Sequence, residues 1–538
     1  MKDIITRGSI DKIIKSKFSI GVCVLAFAGC QSSPEQTMSR PNIVLIMADD
    51  LGYSDIGSYG GEIPTPNLDR LAENGMRFTQ FYNTSRCVPT RASLLTGLYA
   101  HQAGLGRMVS PSDRPGYIGR LNESSVTIAE VMQSAGYQTF MSGKWHVTHY
   151  DYLNPEPTLH QDSWPLQRGF DRFFGTLSGA GSFFTPVSLM LQNEFIEPWE
   201  DFYYTEAITD YAVKFIEEAE KDNPFLLYVS HVAPHWPLHA REKHIDLFKD
   251  SYHDGWDELR RNRHQRMKEL GIIDDRFDLS PRDESVSSWD ESPHKEWEAH
   301  RMGVYAAQVY SMDLGIGKVI DALEKNGLLD NTLILFLSDN GACAEVIQGQ
   351  DTRHGYFERG GTNPEIFPGA PDTYAAYGKA WANAGNTPYR KFKKWTYEGG
   401  IITPLIAHWP KQIEPGQITA HIGHVIDFMP TFAELAGATY PDSFNDNPIT
   451  PMEGVSFMNL LKGDLQKQKV HQNLFWEHFG HKAVRQGNWK LVSEQEGWEL
   501  YNLETDPVEL HNLIDKYPEK AAELADLWNQ WAIRAMVK

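Results

Sequence analysis

The sequence predicts an α/β sandwich, and three observations carry that expectation. Uninterrupted apolar runs, rich in β-branched and aliphatic residues, have the composition of strands buried on both faces. Segments of helical pattern, stopped by glycine, alternate with them. Each run breaks into polar, chemically capable residues, and in open α/β sheets the carboxyl ends of the strands carry the ligand site.

In chain order, the first strand is Asn42–Ala48, ending in Asp49-Asp50. Helices are expected over Pro66–Asn74 before Gly75 and over Val126–Ala135 before Gly136. A strand beginning at Thr139 runs into Ser142-Gly143-Lys144-Trp145-His146, and Phe225–Ser230 runs into His231. Leu238–Met302 is charged and reads as a helical insertion with a polar loop around Ser280–Pro293, its charges forming a solvated face. A helix over Met312–Asn326, stopped by Gly327, precedes the strand Thr332–Leu337, which ends in Ser338-Asp339-Asn340-Gly341. Gly341–Asn386 has little periodicity and reads as a long loop bordering the site. From about Tyr440 a second unit carries short strands at Lys482–Arg485, Trp489–Val492 and Trp498–Tyr501, then a helix from Pro518.

The chain has 538 residues, enough for one large domain and a smaller one. Its formal charge of −21 excludes a nucleic-acid binder, which needs a dense cationic surface. Lys12, Lys15 and Lys17 precede an apolar stretch, Ile20–Ala28, too short to span a bilayer. Small residues before Cys30 resemble a bacterial lipobox, which implies lipidation of Cys30 and an exported protein anchored at the periplasmic face or cell surface. An ordinary signal peptide cleaved nearby is the alternative. The expected boundaries are a lipoprotein-type signal peptide over 1–30, a polar tether over 31–40, a catalytic domain over 41–440 and a subdomain over 441–538. Membrane contact is expected only through the anchor. Of four cysteines, Cys23 and Cys30 lie in the signal region, leaving Cys87 and Cys343.

Asp49 and Asp50 end one buried strand, and Asp339 and Asn340 another. Adjacent buried carboxylates are costly without a cation, and an all-oxygen set suits calcium better than magnesium. Hydrogen bonding to turn amides is the alternative for each pair. Arg91 lies one helical turn after Cys87 and faces it if Pro89 helps start a helix. Strand alternation puts Lys144 and His146 on one face. His235 stands in Ala233-Pro234-His235-Trp236-Pro237, and Lys393 precedes Glu398-Gly399-Gly400. These cations can focus on an anion despite the acidic surface.

Cys87 stands in Ser85-Arg86-Cys87-Val88-Pro89-Thr90-Arg91-Ala92-Ser93-Leu94-Leu95-Thr96-Gly97. This C-x-P-x-R core resembles the signature of the type I, formylglycine-dependent sulfatases, and further similar segments run from about Arg40 to the C-terminus. The microbial arylsulfatases are the most similar branch. The resemblance implies an alkaline-phosphatase-like sandwich, with a large, mostly parallel mixed sheet between helices and a small C-terminal α+β subdomain. It also implies that a maturation enzyme oxidises Cys87 to formylglycine, whose hydrate is the nucleophile. By it, Asp49, Asp50, Asp339 and Asn340 bind calcium together with the modified Cys87. Arg91, Lys144, His146 and His235 fall on catalytic positions, and Lys393, Lys144 and His235 on sulfate-binding ones. The Lys393 match rests on spacing alone, because Phe392, Lys394 and Trp395 replace small residues. His101 and His408 read as supporting or structural, and His149 and His239 as candidates for lining the entrance. The expected substrate is a sulfated small molecule or saccharide. The alternatives are a phosphodiester or phosphonate monoester hydrolase with the same nucleophile, and a non-catalytic sulfoglycan-binding lipoprotein.

Overall fold

The computed structural model describes residues 40–150, 160–347, 359–360, 363–494 and 497–538. The expected signal peptide with Cys30, and the tether up to residue 39, lie outside the described residues. Arg40–Lys538 forms one compact unit.

Its spine is an eleven-stranded mixed sheet. The principal strands are β1 (Asn42–Ala48), β2 (Met76–Tyr82), β3 (Gln138–Lys144), β4 (Arg172–Thr176), β5 (Leu189–Leu191), β6 (Glu194–Phe195), β7 (Phe225–Ser230), β8 (Thr332–Ser338), β9 (Ile402–His408) and β10 (Gln417–Thr419). They lie in the order β10-β2-β9-β8-β1-β7-β3-β4-β5-β6. The run from β8 to β4 is parallel, whereas β9 is antiparallel to both β8 and β2. Both faces are covered. Val44, Ile46 and Ala48 enter one core while Ile43, Leu45 and Met47 enter the other, which is why β1 reads as a continuous apolar run.

The parallel strands bring their carboxyl ends to one edge in the order β8-β1-β7-β3. The antiparallel β9 presents its amino end at the same edge, so the loop before it also reaches the site. Helices α1 (Pro66–Glu73), α2 (Cys87–Thr96), α3 (Ile128–Ser134) and α4 (Tyr204–Glu217) pack around the sheet.

Several expectations are corrected. The insertion contains α5 (Gly255–Glu269), and its charges are not all solvated: Arg260, Arg263 and Arg301 are buried. The helix expected from Met312 is the C-terminal part of α6 (Lys295–Lys325), which begins among those charges. The segment expected as a loop over Gly341–Asn386 holds α7 (Gly378–Gly385) among its described residues. At the C-terminus, β11 (Asn473–His478) adds an unexpected strand to β12 (His481–Gln486), β13 (Trp489–Glu494) and β14 (Glu499–Asn502), with Pro518–Arg534 helical against them. Among the described residues no helix is long and apolar enough to cross a membrane.

Candidate active site

Asp49 and Asp50 follow β1, Asp339 and Asn340 follow β8, and parallel register sets Ala48 beside Ser338. Backbone bonds fix the strand ends to one another: Asp339 N–H donates to the Ala48 carbonyl and Asp49 N–H to that of Ala233, both at 3.1 Å. Asp50 takes a left-handed φ of 68°, which turns the chain away just as it leaves the sheet. The Asp50 N–H donates to Asp339 Oδ1 at 3.2 Å, and Asn340 Nδ2 donates to Asp50 Oδ1 at 2.6 Å.

All four side chains are essentially inaccessible to solvent. Two of their acceptor oxygens, Asp49 Oδ1 and Asn340 Oδ1, have no hydrogen-bond partner. Buried oxygens left in that state are costly, and a hard divalent cation would satisfy them. Ligand atoms of Asp49, Asp50 and His235 all lie within 4.8 Å of one another, so the donor set fits a cation, with His235 as an unexpected neighbour. Asp339 is pushed up to about 7 by burial and by the charge of Asp49, against Arg91. Burial also raises Asp49, but Lys144, His235, Arg91 and Lys393 outweigh it and hold that carboxyl well below the ordinary range.

Cys87 opens α2, a helix with no exposed residue, and Pro89 stands in its first turn, where a missing N–H costs nothing. A helix N-terminus favours negative charge. Even so, burial pushes the Cys87 thiol up, against Lys144 and Lys393. Arg91, one turn on, lies fully inside the protein. Its Nη2 and Nε reach Asp339 Oδ2 at 2.9 and 3.2 Å, Nη2 lies 3.4 Å from Asp49, and Nη1 meets Ser230 Oγ and the Lys144 carbonyl.

The other cations converge as well. Lys144 Nζ pairs with Asp49. Lys393 Nζ lies 2.7 Å from Asp50 Oδ1 and 3.4 Å from His235 Nε2. His235 Nδ1 is 2.6 Å from the Trp236 carbonyl and therefore carries its hydrogen there, leaving Nε2 to face the pocket. Burial, chiefly, pushes His235 down to about 4. His146 does not share strand alternation with Lys144: β3 ends at Lys144 and His146 has a φ of 55°. It is buried with Nδ1 unpartnered, and burial with Lys144 and Arg91 holds it well below its ordinary value. A Cβ at Gly179 would stand 1.9 Å from His146 Cε1, so only glycine fits there.

Sequence reasoning did not single out Ser230, Ser338 or Asn386. Ser338 Oγ accepts from Leu51 N–H at 3.0 Å, and Asn386 ties the Asn340 loop to the Lys393 loop, accepting from Ala342 N–H at 2.9 Å and donating to the Lys391 carbonyl at 3.0 Å. Only the position of Ser338 and Ser230 at strand ends hinted at a role. Cys343 is free and buried. His101 is bonded to Glu477 at 2.8 Å, His149 lies 2.8 Å from the Val109 carbonyl, and His239 is buried against the Thr373 carbonyl at 2.7 Å. His408 closes β9, at the end opposite the site.

The sulfatase family model matches residues 41–438, and that of the N-sulphoglucosamine sulphohydrolase C-terminal region matches residues 389–532. An uncharacterized sulfatase of Schizosaccharomyces pombe is 36% identical, covering 91% of this chain and 93% of its own. The arylsulfatase of Klebsiella aerogenes is 35% identical over 82% of this chain and 96% of its own. Among solved structures, Ps i-CgsB in complex with k-i-k-neocarrahexaose superposes with a TM-score of 0.66 at 26% identity, covering 92% of this chain and 93% of the other.

Proposed function

The chain belongs to the sulfatase family, a family of sulfuric ester hydrolases, and from that premise we propose how its own residues divide the work. Cys87, converted to formylglycine, is the nucleophile position, and Asp49, Asp50, Asp339 and Asn340 hold calcium next to it. The observation that carries this reading is the pair of unpartnered buried oxygens, Asp49 Oδ1 and Asn340 Oδ1, within a ring of cations at the buried start of α2. The raised thiol of Cys87 supports it too, since an unmodified cysteine would stay protonated and weakly nucleophilic.

When present, the aldehyde hydrate supplies an attacking oxygen and a second hydroxyl for later release of sulfate, and the metal supplies Lewis-acid polarisation. The protein's side chains do the rest. Lys144 and Lys393 exchange their aspartate partners for sulfate oxygens and neutralise the charge that grows on them. Arg91, locked between Asp339, Ser230 and the Lys144 carbonyl, holds the nucleophile position polarised. His235 delivers a proton from Nε2 to the leaving oxygen, for which it must first gain one; the negative charge of a bound ester favours that protonation. His146, neutral and with Nδ1 open, takes up the proton released when the enzyme is regenerated.

The substrate is a sulfate monoester of a phenol or a saccharide alcohol; the arylsulfatase relative and the neocarrahexaose-bound neighbour support either class. The lipobox-like Leu25–Cys30 segment supports export and lipid anchoring, for which release of a Cys30→Ser variant from the membrane fraction is the check. The central test joins mass spectrometry of the Cys87 peptide with turnover of 4-nitrophenyl sulfate and bis(4-nitrophenyl) phosphate. Thiol-to-aldehyde conversion and preference for the sulfate are expected. A folded protein that turns over the sulfate with Cys87 replaced by alanine would overturn the proposal.

A further inference from the structure

Beside Lys393 and His235 lies a group of charges that the chemistry above does not use. Arg86 immediately precedes Cys87 and is largely buried, its side chain 12% exposed. Its Nη2 reaches Glu345 Oε1 at 3.1 Å, but Nε and Nη1, both buried, have no partner. Glu345 is shared further. Lys394 Nζ lies 2.7 Å from it, Lys393 Nζ 3.9 Å, and Trp236 Nε1 donates to it at 2.9 Å. Trp236 in turn lies with its ring 4.5 Å from that of His235, the residue facing the leaving group.

Three cations therefore share the one carboxylate of Glu345, in a chain whose net charge is −21. An arginine with two buried N–H-bearing nitrogens unpaired is costly unless a ligand completes it. Through Glu345 the guanidinium is linked to Lys393 and to Trp236, the neighbour of His235, so Arg86 stands beside the side of the site where the remainder of the substrate must sit. Donors in excess over acceptors select an anion rather than a neutral hydroxyl.

We propose that Arg86 is a specificity-determining residue that binds a second oxyanion substituent, a sulfate or carboxylate, carried on the saccharide whose sulfate ester is cleaved, with Glu345 as the counterion it shares when that substituent is missing. This deepens the sulfatase reading and rests on it. A substrate with one charge leaves Arg86 incompletely paired, whereas a doubly charged one completes it.

The test uses the full-length, formylglycine-containing protein with a panel of mono- and disulfated positional isomers of galactose and glucosamine. The readout is the ratio of kcat/KM for each disulfated sugar to that of its monosulfated parent, which is independent of the absolute rate. The native protein is expected to favour at least one disulfated isomer. Arg86→Gln should lower that ratio by about 10- to 100-fold, the range for one hydrogen-bonded charge. Glu345→Gln, which frees Arg86 and Lys394 while keeping an acceptor for Trp236, should raise it. Native-like melting of both variants excludes misfolding as the cause. Preference for no disulfated isomer, or a ratio that the two variants leave unchanged or move in the same direction, overturns the proposal. Failure of the native protein to cleave any sulfate ester would instead overturn the sulfatase reading beneath it.

Discussion

Two buried ionic networks, at the active site and behind it, are built from the same kinds of residue and end in different states. Behind the site, Arg263 Nη1 meets Asp55 at 2.5 Å while Nε and Nη2 meet the two oxygens of Glu62 at 2.7 and 2.9 Å. Asp55 also accepts from Tyr305 at 2.6 Å and from Gly52 N–H at 2.8 Å, and Glu62 from Tyr252 at 2.9 Å. Each of those carboxylate oxygens has a donor. In the active site Arg91, Lys144 and Lys393 compensate Asp49, Asp50 and Asp339, yet acceptor oxygens remain empty. Burial of charge is common to both networks, although Glu62, at the edge of the second, keeps 35% of its side chain exposed. What separates a binding site from a structural brace is the unfilled valence, so the closed network should answer to stability and the open one to ligands.

The largest expected effect breaks the open network. Asp339→Asn should lower sulfate-ester turnover by about 10³-fold or more, as for loss of a preorganised electrostatic group, with little loss of melting temperature in the metal-free protein. A comparable fall in both would erase the distinction. Arg263→Met should do the reverse. It strands the buried Asp55 carboxylate, and chemical denaturation should report a loss of about 3–5 kcal/mol, while kcat on whatever folds stays within a few-fold of native.

Chelation comes next. Calcium that binds only the folded state at 100- to 1,000-fold above its Kd adds about 3–4 kcal/mol, so exhaustive chelation should lower melting temperature and activity together, and calcium should restore both. In Asp339→Asn the chelator's effect on melting should shrink, whereas in Arg263→Met it should persist.

The last effect is on pH, where the two networks should have opposite signs. Asp339 is pushed up to about 7 in the metal-free fold but ionises near 4 when unfolded, so the fold binds an extra proton between those values. Stability under chelation should therefore fall as pH rises from about 4 to 7, by at most ~1.4 kcal/mol per unit, and level off above. Asp49 and Asp50, held low, stay ionised across that window. Calcium or Asp339→Asn should remove the slope. In the closed network burial raises Glu62 but Arg263 overrides it, so its share of stability is present above the ordinary glutamate range and is lost as pH falls below it. Differential scanning at a series of pH values, with and without calcium, separates the two.

The open network was the more legible of the two in the sequence. Asp49, Asp339, Lys144 and His235 each follow a continuous apolar run, and the physics that buries a strand on both faces also marks where it stops. Arg263 gave no such signal: a charge inside a charged segment reads as solvated until the partner it meets, Asp55, is brought in from two hundred residues away. The same masking hid the first half of α6, where Arg301 is buried against Glu298. Asn473–His478 was missed because its apolar run is only Leu474–Trp476 between polar residues, although its burial alternates as suits a strand half covered by its neighbours. Lys393 was legible only by resemblance, since its place depends on β9 running antiparallel, which periodicity does not encode. Arg86 and Glu345 were invisible in principle: a single Arg and a single Glu far apart in sequence have no pattern until the fold joins them.

The position of β9 between β2 and β8 sets an order in time. Cys87 is 2% exposed, on a helix whose every residue is buried, and the strand β2 that leads to it is bounded by a partner that leaves the ribosome long after Cys87 itself. In the finished protein that thiol is almost wholly covered. Conversion of Cys87, as proposed, thus belongs to the interval before β9 closes the sheet, while the segment is still an extended peptide. On that proposal, a chain that folds first with its cysteine intact should be shut out of maturation, and adding the maturation enzyme afterwards should rescue it only to the extent that the sheet reopens.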